Sequence, residues 1–318
     1  MTLLDDLKES IKQEIGQLDM VIGWKQGFDP LHTSPYFMYR EEDVDQLQWS
    51  PLCSANLAGY LPGLKGKKVG LVLKGCDSRS VAQLIQEGFA KREDLTLFGV
   101  YCPGNVNTAA VKKALRSPGT IKEASWEGDT LKLKTSREEA SFPLEEVLLN
   151  RCFGPHPHQP VLFDHLLGEP RDKELCGSGS HPELQALEEM ELEDRFAYWL
   201  RHMDRCIRCY ACRNACPMCV CKDHCIADTR DPHWMSQETG VRQKWMYQLI
   251  HAMHLAGRCT ECGECERACP MEIPILSLRR KMNQEIASLF DYQAGLDPEA
   301  LIPLMTFKPD EEFSSSGK

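Results

Sequence analysis

The feature that most constrains the fold of this 318-residue chain is a cysteine pattern that occurs twice. The first copy is CIRCYACRNACP at 206–217 and the second is CTECGECERACP at 259–270. Both have the spacing C-x2-C-x2-C-x3-C followed by proline. Three closely spaced thiolates can bind three irons of a cubane, and in chains with two such motifs the fourth cysteine serves the other cluster. The fold is therefore expected to bring the two copies together.

This spacing predicts two [4Fe–4S] clusters with crossed ligands. The first cluster is expected on Cys206, Cys209, Cys212 and Cys269, and the second on Cys259, Cys262, Cys265 and Cys216. Structural zinc sites mostly use two separated C-x2-C pairs, so zinc fits this pattern poorly. Clusters of this kind carry single electrons, which predicts electron relay rather than substrate chemistry.

The composition narrows the class of protein further. Sixteen cysteines without a recognisable secretion signal favour metal binding over a disulfide framework, which predicts a cytoplasmic protein. A formal net charge of −10 disfavours a nucleic-acid partner, because such proteins present basic surfaces. The longest apolar runs, such as VGLVL at 69–73, are too short to cross a bilayer, so no transmembrane segment is expected.

The first half of the chain has the pattern of an α/β domain. A strand at 67–75, a helix at 77–93 and a strand at 95–104 make one βαβ unit, which implies a parallel pair of strands. Residues 121–135 alternate on both sides of Glu-Gly-Asp and predict a hairpin. The segment 145–152 is a further strand candidate. Apolar residues on one face predict a helix at the start of the chain: Leu4, Leu7, Ile11 and Ile15.

The second half has a helical pattern. A flexible linker at 176–183 precedes one apolar stripe, which predicts a continuous helix from about 184 to 203. Further helices are predicted around 245–253 and at 275–290, on either side of the second cysteine copy. The predicted fold class is α+β. Its parts are an α/β domain with a partly parallel sheet at 1–175, a linker and helix at 176–204, a mainly helical dicluster ferredoxin-like domain at 205–292, and a tail at 293–318.

Three cysteines just after the first copy are surplus to a simple two-cluster module. Cys219, Cys221 and Cys225 are spaced C-x-C-x3-C. They could be buried structural thiols, ligands of another cluster, or a redox-active thiol site. The last alternative is weakened because C-x-C cannot easily close a disulfide on itself.

The first half also contains cysteines at the ends of predicted strands. An additional Fe–S cluster is a candidate on Cys53, Cys76, Cys102 and Cys152, with Cys176 as a substitute. The carboxyl ends of parallel strands lie at one edge of a sheet, where these thiols could converge. The alternative is that each is a small buried hydrophobic side chain.

Two other features of this half are candidate ligand sites. The polar turns at 74–80 and 102–104 could bind phosphates of a flavin, which makes Cys76, Asp77, Arg79 and Cys102 a tentative cofactor region. No G-x-G-x-x-G dinucleotide fingerprint follows either strand. His156, His158 and His165 could bind a metal, but their proline-rich context favours exposed histidines.

Several of these stretches are similar to known families. VLKGCDSRSVAQLIQEG, GVYCPG and DHLLGE, in that order, resemble the beta-subunit family of coenzyme F420-reducing hydrogenases and methanogen formate dehydrogenases. Related Fe–S subunits accompany heterodisulfide-reductase-like complexes. CPMCVC is similar to an element in the A subunit of anaerobic sulfite reductase and in the matching sulfhydrogenase subunit. The ferredoxin module resembles the bacterial two-[4Fe–4S] ferredoxins.

The resemblance implies an iron–sulfur electron-transfer subunit of a multisubunit anaerobic redox complex, without a substrate site of its own. Its partners would be hydrogenase, dehydrogenase or heterodisulfide-reductase-like subunits, and some members of the family bind FAD. Two other hypotheses remain open. One is a flavin-dependent oxidoreductase acting on F420, NAD(P)H or ferredoxin, and the other is a non-catalytic scaffold in which Fe–S clusters only stabilise the fold.

Overall fold

The structure is a computed structural model that describes residues 2–117, 119–153, 158–170, 181–221, 225, 236 and 238–304. The predicted linker lies largely outside the described residues, as do Cys176, His156 and the end of the predicted tail. The fold is α+β, as the sequence predicted, with a mixed sheet in the first half and helices around the cysteine copies in the second.

The first half contains the two sheets of the described chain. Its helices and longer strands are, in chain order, α1 (Leu3–Glu14), β1 (Met20–Gln26), β2 (Thr33–Met38), β3 (Val69–Leu73), α2 (Gly75–Gln86), β4 (Leu95–Val100), α3 (Thr108–Ala114), β5 (Ile121–Glu127), β6 (Thr130–Thr135), β7 (Glu139–Pro143) and β8 (His165–Leu167). The larger sheet has the order β2-β1-β3-β4-β8, and only the β1–β2 pair is antiparallel.

The predicted βαβ unit is confirmed by β3, α2 and β4. Every residue of β3 is buried, as expected for a strand covered on both faces, and β3 pairs in parallel with β4. The helix α2 is also buried over most of its length, so it lies inside the molecule rather than on its surface. The predicted first helix is α1, whose N-terminus is closed by a capping box between Thr2 and Asp5.

The smaller sheet confirms the predicted hairpin and extends it. β5 and β6 pair in antiparallel register across a turn at Gly128, which has a φ of +56°. β7 then pairs with β6 to complete three strands. Leu131 and Leu133 on β6 are buried, because alternate residues of this strand face the same side.

The prediction of a strand at 145–152 was wrong. The segment forms two short 3-10 turns, Leu144–Glu146 and Asn150–Cys152, and makes a single bridge from Leu148 to Val106. Its amides donate within the segment, from Val147 to the Leu144 carbonyl and from Cys152 to the Leu149 carbonyl. The apolar side chains are buried, but the segment pairs with 105–107 only around the one bridge, through the Leu149 amide and the Val147 carbonyl, and does not join either sheet.

The second half is helical around the two cysteine copies. Its helices are α4 (Pro182–Glu189), α5 (Leu192–Asp204), α6 (Ala211–Asn214), α7 (Val241–His254), α8 (Glu264–Arg267) and α9 (Ile275–Phe290). The helices predicted around 245–253 and at 275–290 are confirmed as α7 and α9. None of the helices that the structure describes combines the length and apolarity needed to cross a membrane.

The single helix predicted from 184 to 203 is two helices. The chain becomes extended at Met190 and Glu191, so α4 and α5 are separate segments. Arg195 closes this corner by donating to the carbonyl oxygens of Glu188 and Met190. Both helices bury apolar residues, Leu184 and Leu187 on α4 and Trp199 and Met203 on α5, which is why the apolar pattern continued across the break.

Candidate iron–sulfur centres

The two cysteine loops have the same backbone conformation. In each copy the residues on either side of the middle cysteine are left-handed: Arg208 and Tyr210 around Cys209, and Glu261 and Gly263 around Cys262. Holding a non-glycine residue in this region costs on the order of 1 kcal/mol, so three such residues need compensation from their surroundings. Short helices, α6 and α8, then carry the fourth cysteine of each copy away.

The first centre is a cavity lined by cysteines from both copies. Cys206, Cys209 and Cys212 face it from the first loop, and Cys269 faces it from the end of the second copy. The Arg208 amide donates to Cys206 Sγ at 3.4 Å, and Gln248 Nε2 donates to Cys212 Sγ at 3.7 Å. Apolar side chains close the rest of the cavity, among them Ile273 and Ile275.

The second centre surrounds the thiols of the second copy. Burial, followed by the neighbouring Cys216 thiol, raises the pKa of Cys262 to about 12. Burial, Glu261 and Cys216 raise the pKa of Cys259 to about 12 as well. Burial raises the pKa of Cys265 well above its usual value, and the Cys216, Cys259 and Cys262 thiols raise it further by smaller amounts. Such thiols stay protonated unless a metal binds them, because coordination deprotonates a thiol outright.

A buried arginine lies between the two centres. Arg279 on α9 is 1% exposed, and its positive charge opposes the burial that raises the pKa of both Cys212 and Cys265. Its Nε and Nη1 atoms have no hydrogen-bond partner among the described residues, nor does Gln248 Oε1. Buried polar atoms are almost always satisfied, and the N–H groups of Arg279 suit the sulfur atoms of a cluster. The residues present therefore fit a cubane at each centre.

The four N-terminal cysteines lie around two buried cations. Cys76 and Cys102 are electrostatic neighbours of each other and of Lys74 and Arg151, and Cys152 is a neighbour of Cys102 and Arg151. Cys53 is a neighbour of Lys74 as well, and its thiol donates to the Gln48 carbonyl at 3.6 Å. The further cluster on these cysteines stays a prediction.

The two cations belong to a network that sequence reasoning missed. Lys74 Nζ lies 2.7 Å from Asp77 Oδ2, and both side chains are fully buried. Arg151 Nη1 lies 2.8 Å from Glu264 Oε1 and also donates to the Cys262 carbonyl at 2.6 Å. Arg151 thereby joins the edge of the large sheet to the second centre. In the sequence, the only feature that could have drawn attention to Arg151 is its position beside Cys152.

The tentative flavin residues lie in three different surroundings. Cys76 and Asp77 are buried in the network around Lys74. Arg79 donates from Nη2 to the Ala294 carbonyl at 2.8 Å. Cys102 alone lines a cavity of about 810 Å³ at the carboxyl edge of β4, together with several aromatic side chains: Trp49, Tyr101, Trp126 and His158.

The described histidines of the proline-rich segment are half-buried rather than exposed. His158 contacts the Cys102 carbonyl through Nδ1 at 2.9 Å, and His165 stacks on Phe98. Throughout the described part of the chain, no three Cys, His, Asp or Glu side chains converge on a position for one metal ion.

The surplus cysteines share a third cavity. Cys219, Cys221 and Cys225 line a space of about 570 Å³ beside α7, and the described lining includes no thiol from the first half of the chain. Cys219 Sγ lies 3.0 Å from His251 Nε2, and Cys225 Sγ lies 3.2 Å from Arg213 Nε.

The comparisons with known proteins match this geometry. Residues 202–273, which include both cysteine loops, match the family model described as a 4Fe-4S dicluster domain. This segment is similar to that family. It contains all eight cysteines that the repeated spacing predicted as ligands.

The whole chain is similar to curated beta subunits. It is 22% identical to the F420-dependent formate dehydrogenase subunit beta of Methanocaldococcus jannaschii, over 92% of this chain and 90% of the relative. It is 24% identical to the F420-dependent formate dehydrogenase 1 subunit beta of Methanococcus maripaludis, over 90% of this chain and 88% of the relative. The resemblance predicted from the sequence is confirmed by these relatives.

One solved chain comes from the F420-reducing [NiFe] hydrogenase complex of Methanosarcina barkeri. It aligns with a TM-score of 0.35 and 17% identity, over 46% of this chain and 57% of that chain.

Proposed function

We propose that this protein is an iron–sulfur electron-transfer subunit of an anaerobic redox complex, and that single electrons pass through two [4Fe–4S] clusters in its dicluster domain. The observation that carries this proposal is the first centre, where Cys269 of the second copy completes the set begun by Cys206, Cys209 and Cys212. A chain that only needed a zinc knuckle would have no reason to exchange cysteines between two copies.

The ligand sets follow from this exchange. Cys206, Cys209, Cys212 and Cys269 bind the first cluster, and Cys259, Cys262, Cys265 and Cys216 bind the second. A [4Fe–4S] cluster supplies a site that gains or loses one electron. The protein supplies the thiolates, the left-handed loops that turn backbone amides around the middle cysteine, and the charge of Arg279 between the two sets.

The first centre is the side at which electrons enter or leave. Cys209 is exposed, and the neighbouring Ile207 has 62% of its surface exposed. Each thiol of the second set is buried or half-buried. Electron transfer between proteins needs a cluster near a surface, so a partner would dock over Cys209.

The names of the relatives support one class of partner. Both are named as beta subunits of F420-dependent formate dehydrogenases. We infer that this chain pairs with a catalytic subunit of a dehydrogenase, hydrogenase or heterodisulfide-reductase-like enzyme. A cytoplasmic location belongs to the same proposal, because so many free cysteines persist best in a reducing compartment.

Iron and sulfide counting with redox titration tests this proposal. Anaerobically purified full-length protein should contain at least about eight irons and eight sulfides per chain. Dithionite should reduce both clusters, and a low-potential electron acceptor should oxidise them again. Clusters that stay oxidised at every physiological potential would support the scaffold hypothesis and exclude the relay.

A flavin-dependent activity is a second candidate, favoured by one cavity. The space at the edge of β4 falls within the usual volume range of ligand sites, and Trp49, Tyr101 and Trp126 could stack on a planar ring. Acid extraction of the anaerobic protein followed by chromatography would detect FAD. A variant with Trp126→Ala should then lose flavin while its iron content stays unchanged. A flavin-free wild-type protein that still relays electrons would remove this candidate.

A further inference from the structure

The cavity beside α7 is not an environment for inert structural thiols. Structural cysteines are usually fully buried among apolar side chains. Here Cys221 is exposed, Cys219 and Cys225 are half-buried, and all three line the same space of about 570 Å³. The cavity therefore holds thiols that are both grouped and accessible.

Cations and hydrogen-bond donors surround these thiols. Arg213 donates from Nε to Cys225 Sγ at 3.2 Å and from Nη2 to the Cys221 carbonyl. Arg258 lines the same cavity, where it pairs with Glu87 and donates from Nη2 to the Met218 carbonyl at 3.2 Å. Positive charge of this kind favours thiolates over thiols, and thiolates are the metal-binding form.

His251 is a hydrogen-bond donor to Cys219. Arg279 Nη2 lies 2.7 Å from His251 Nδ1, and an arginine can only donate, so Nδ1 accepts. In the neutral imidazole the proton is then on Nε2, which lies 3.0 Å from Cys219 Sγ. Because Nδ1 accepts from an arginine it carries no proton, so the ring is neutral. His251 thus donates to the sulfur and has no lone pair on Nε2 to bind a metal.

The cavity adjoins both proposed clusters. The Cys219 amide donates to the carbonyl oxygen of Cys216, a proposed ligand of the second cluster, at 3.1 Å. Tyr247 lines this cavity and the cavity of the first centre. An electron acceptor placed here would be next to either cluster of the relay.

We propose that Cys219, Cys221 and Cys225 bind a third [4Fe–4S] cluster, held by three thiolates with its fourth iron facing the cavity. Each thiol loses one proton on binding. An oxidised [4Fe–4S] core on three thiolates is negatively charged, which Arg213 would balance, because Arg258 is already paired with Glu87. His251 donates to the Cys219 ligand and is itself oriented by Arg279. The third cluster does not depend on the relay, but its role as the next electron site rests on the proposed function.

The test compares the wild-type chain with a variant that carries Cys219→Ser, Cys221→Ser and Cys225→Ser. Both are purified anaerobically at full length and reconstituted with iron and sulfide. The variant is expected to contain about four irons and four sulfides fewer than the wild type, while about eight remain. The matched control is Val220→Ala, which shortens a side chain of the same cavity between two of the thiols and should keep the wild-type iron content.

A spectroscopic measurement identifies the cluster type. A cubane with three cysteine ligands loses its fourth iron on mild oxidation, so the wild type should develop a [3Fe–4S] electron paramagnetic resonance signal. That signal should be absent from the triple variant. The triple variant should still show the reduced signals of the two ferredoxin-type clusters, which separates this proposal from the relay itself.

Several outcomes would overturn the proposal. They are an iron content unchanged in the triple variant, zinc in place of iron at the three thiols, or a disulfide between two of them in wild-type protein. Should the triple variant fail to fold, Cys221→Ser replaces only an exposed side chain and should show the same loss of iron. The relay would fail differently, as a wild-type protein whose ferredoxin-type clusters are missing or cannot be reduced.

Discussion

Arg151 and Glu264 form a buried ion pair, with 2.8 Å between Nη1 and Oε1 and less than 5% of either side chain exposed. Arg151 follows the smaller sheet, and Glu264 lies between two proposed ligands of the second cluster. Arg151 also donates to Asn105 Oδ1 at 2.9 Å, so most of its donors are used. The pair is one of the polar links between the first half of the chain and the second cysteine loop.

Replacing Arg151 with Met should destabilise the protein by about 1–3 kcal/mol for each buried acceptor left without a donor, chiefly the Cys262 carbonyl and Asn105 Oδ1, whereas Glu264 keeps its pair with Arg267. The double variant Arg151→Met, Glu264→Leu should recover little of that loss, because it restores no donor to these acceptors. Lys12→Met is a suitable control, since Lys12 pairs with Asp45 at the surface and its loss should cost about 1 kcal/mol or less. Urea unfolding under anaerobic conditions measures all three. Equal losses from the buried and surface pairs would contradict this account.

The crossed ligands predict an unusual pattern among cysteine variants. Cys269→Ser should perturb the same cluster as Cys206→Ser, although Cys269 is in the second copy of the motif. Cys216→Ser should resemble Cys262→Ser instead. Potentiometric titrations followed by electron paramagnetic resonance would assign each variant to one of the two signals. If Cys269→Ser altered the same signal as Cys262→Ser, each motif would bind its own cluster and the exchange would be wrong.

The second loop requires glycine at position 263 because a side chain there would collide with Arg151. Gly263 has a φ of +65°, and an added Cβ would lie 2.7 Å from the Cβ of Arg151. Tyr210 occupies the equivalent position in the first loop with the same left-handed conformation. Gly263→Ala should therefore cost the left-handed strain plus the displacement of Arg151, at least about 2 kcal/mol in total.

The control for this prediction is Gly128→Ala. Gly128 has a φ of +56° but open space around its Cβ position, so only the strain, about 1 kcal/mol, is expected. Thermal unfolding of both variants gives the comparison. Similar losses at the two positions would mean that contact with Arg151 contributes nothing.

The sequence predicted the parts of the fold that have regular, local signals. β3, α2 and β4 were predicted because an apolar run, a helical pattern and a second run follow one another within one crossover. β1 and β2 were not predicted. β1 has Gly23 at its centre, where an added Cβ would lie 2.5 Å from Leu47, and β2 is an edge strand interrupted by Pro35. Glycine and proline usually indicate that a segment is not a strand, and here the packing of the sheet overrides that signal.

The residues of the candidate site also form two groups, those that the sequence predicted and those that it did not. The eight motif cysteines were predicted because their spacing is itself the signal. Arg151, His251 and Arg279 were not, because they are ordinary residue types far apart in the chain. Their roles depend on tertiary contacts: Arg151 with Glu264, and Arg279 with His251.

Removing iron should loosen the two cysteine loops while the large sheet stays intact. Without clusters, the left-handed residues and the buried, unpartnered donors of Arg279 have nothing to compensate them. Hydrogen exchange followed by mass spectrometry, before and after anaerobic chelation, should show faster exchange at 206–216 and 259–269. Amides of β3 should keep their protection, because that strand is buried and paired on both sides. Uniform exchange across both halves would indicate that the clusters support the whole fold.

Arg279 should set the reduction potential of both ferredoxin-type clusters. A buried positive charge stabilises the more negative, reduced state, so Arg279→Gln should lower both potentials, by roughly 60 mV if its effect is tenfold in each one-electron equilibrium. Arg279→Lys keeps the charge and should cause a smaller shift. Arg280 is a matched control: it is equally buried, but its charge is compensated by Glu183 and Glu261, so Arg280→Gln should reduce stability and shift both potentials less than Arg279→Gln. A shift of only one cluster in Arg279→Gln would show that the arginine serves a single centre, and equal shifts in the two Gln variants would indicate a general structural effect.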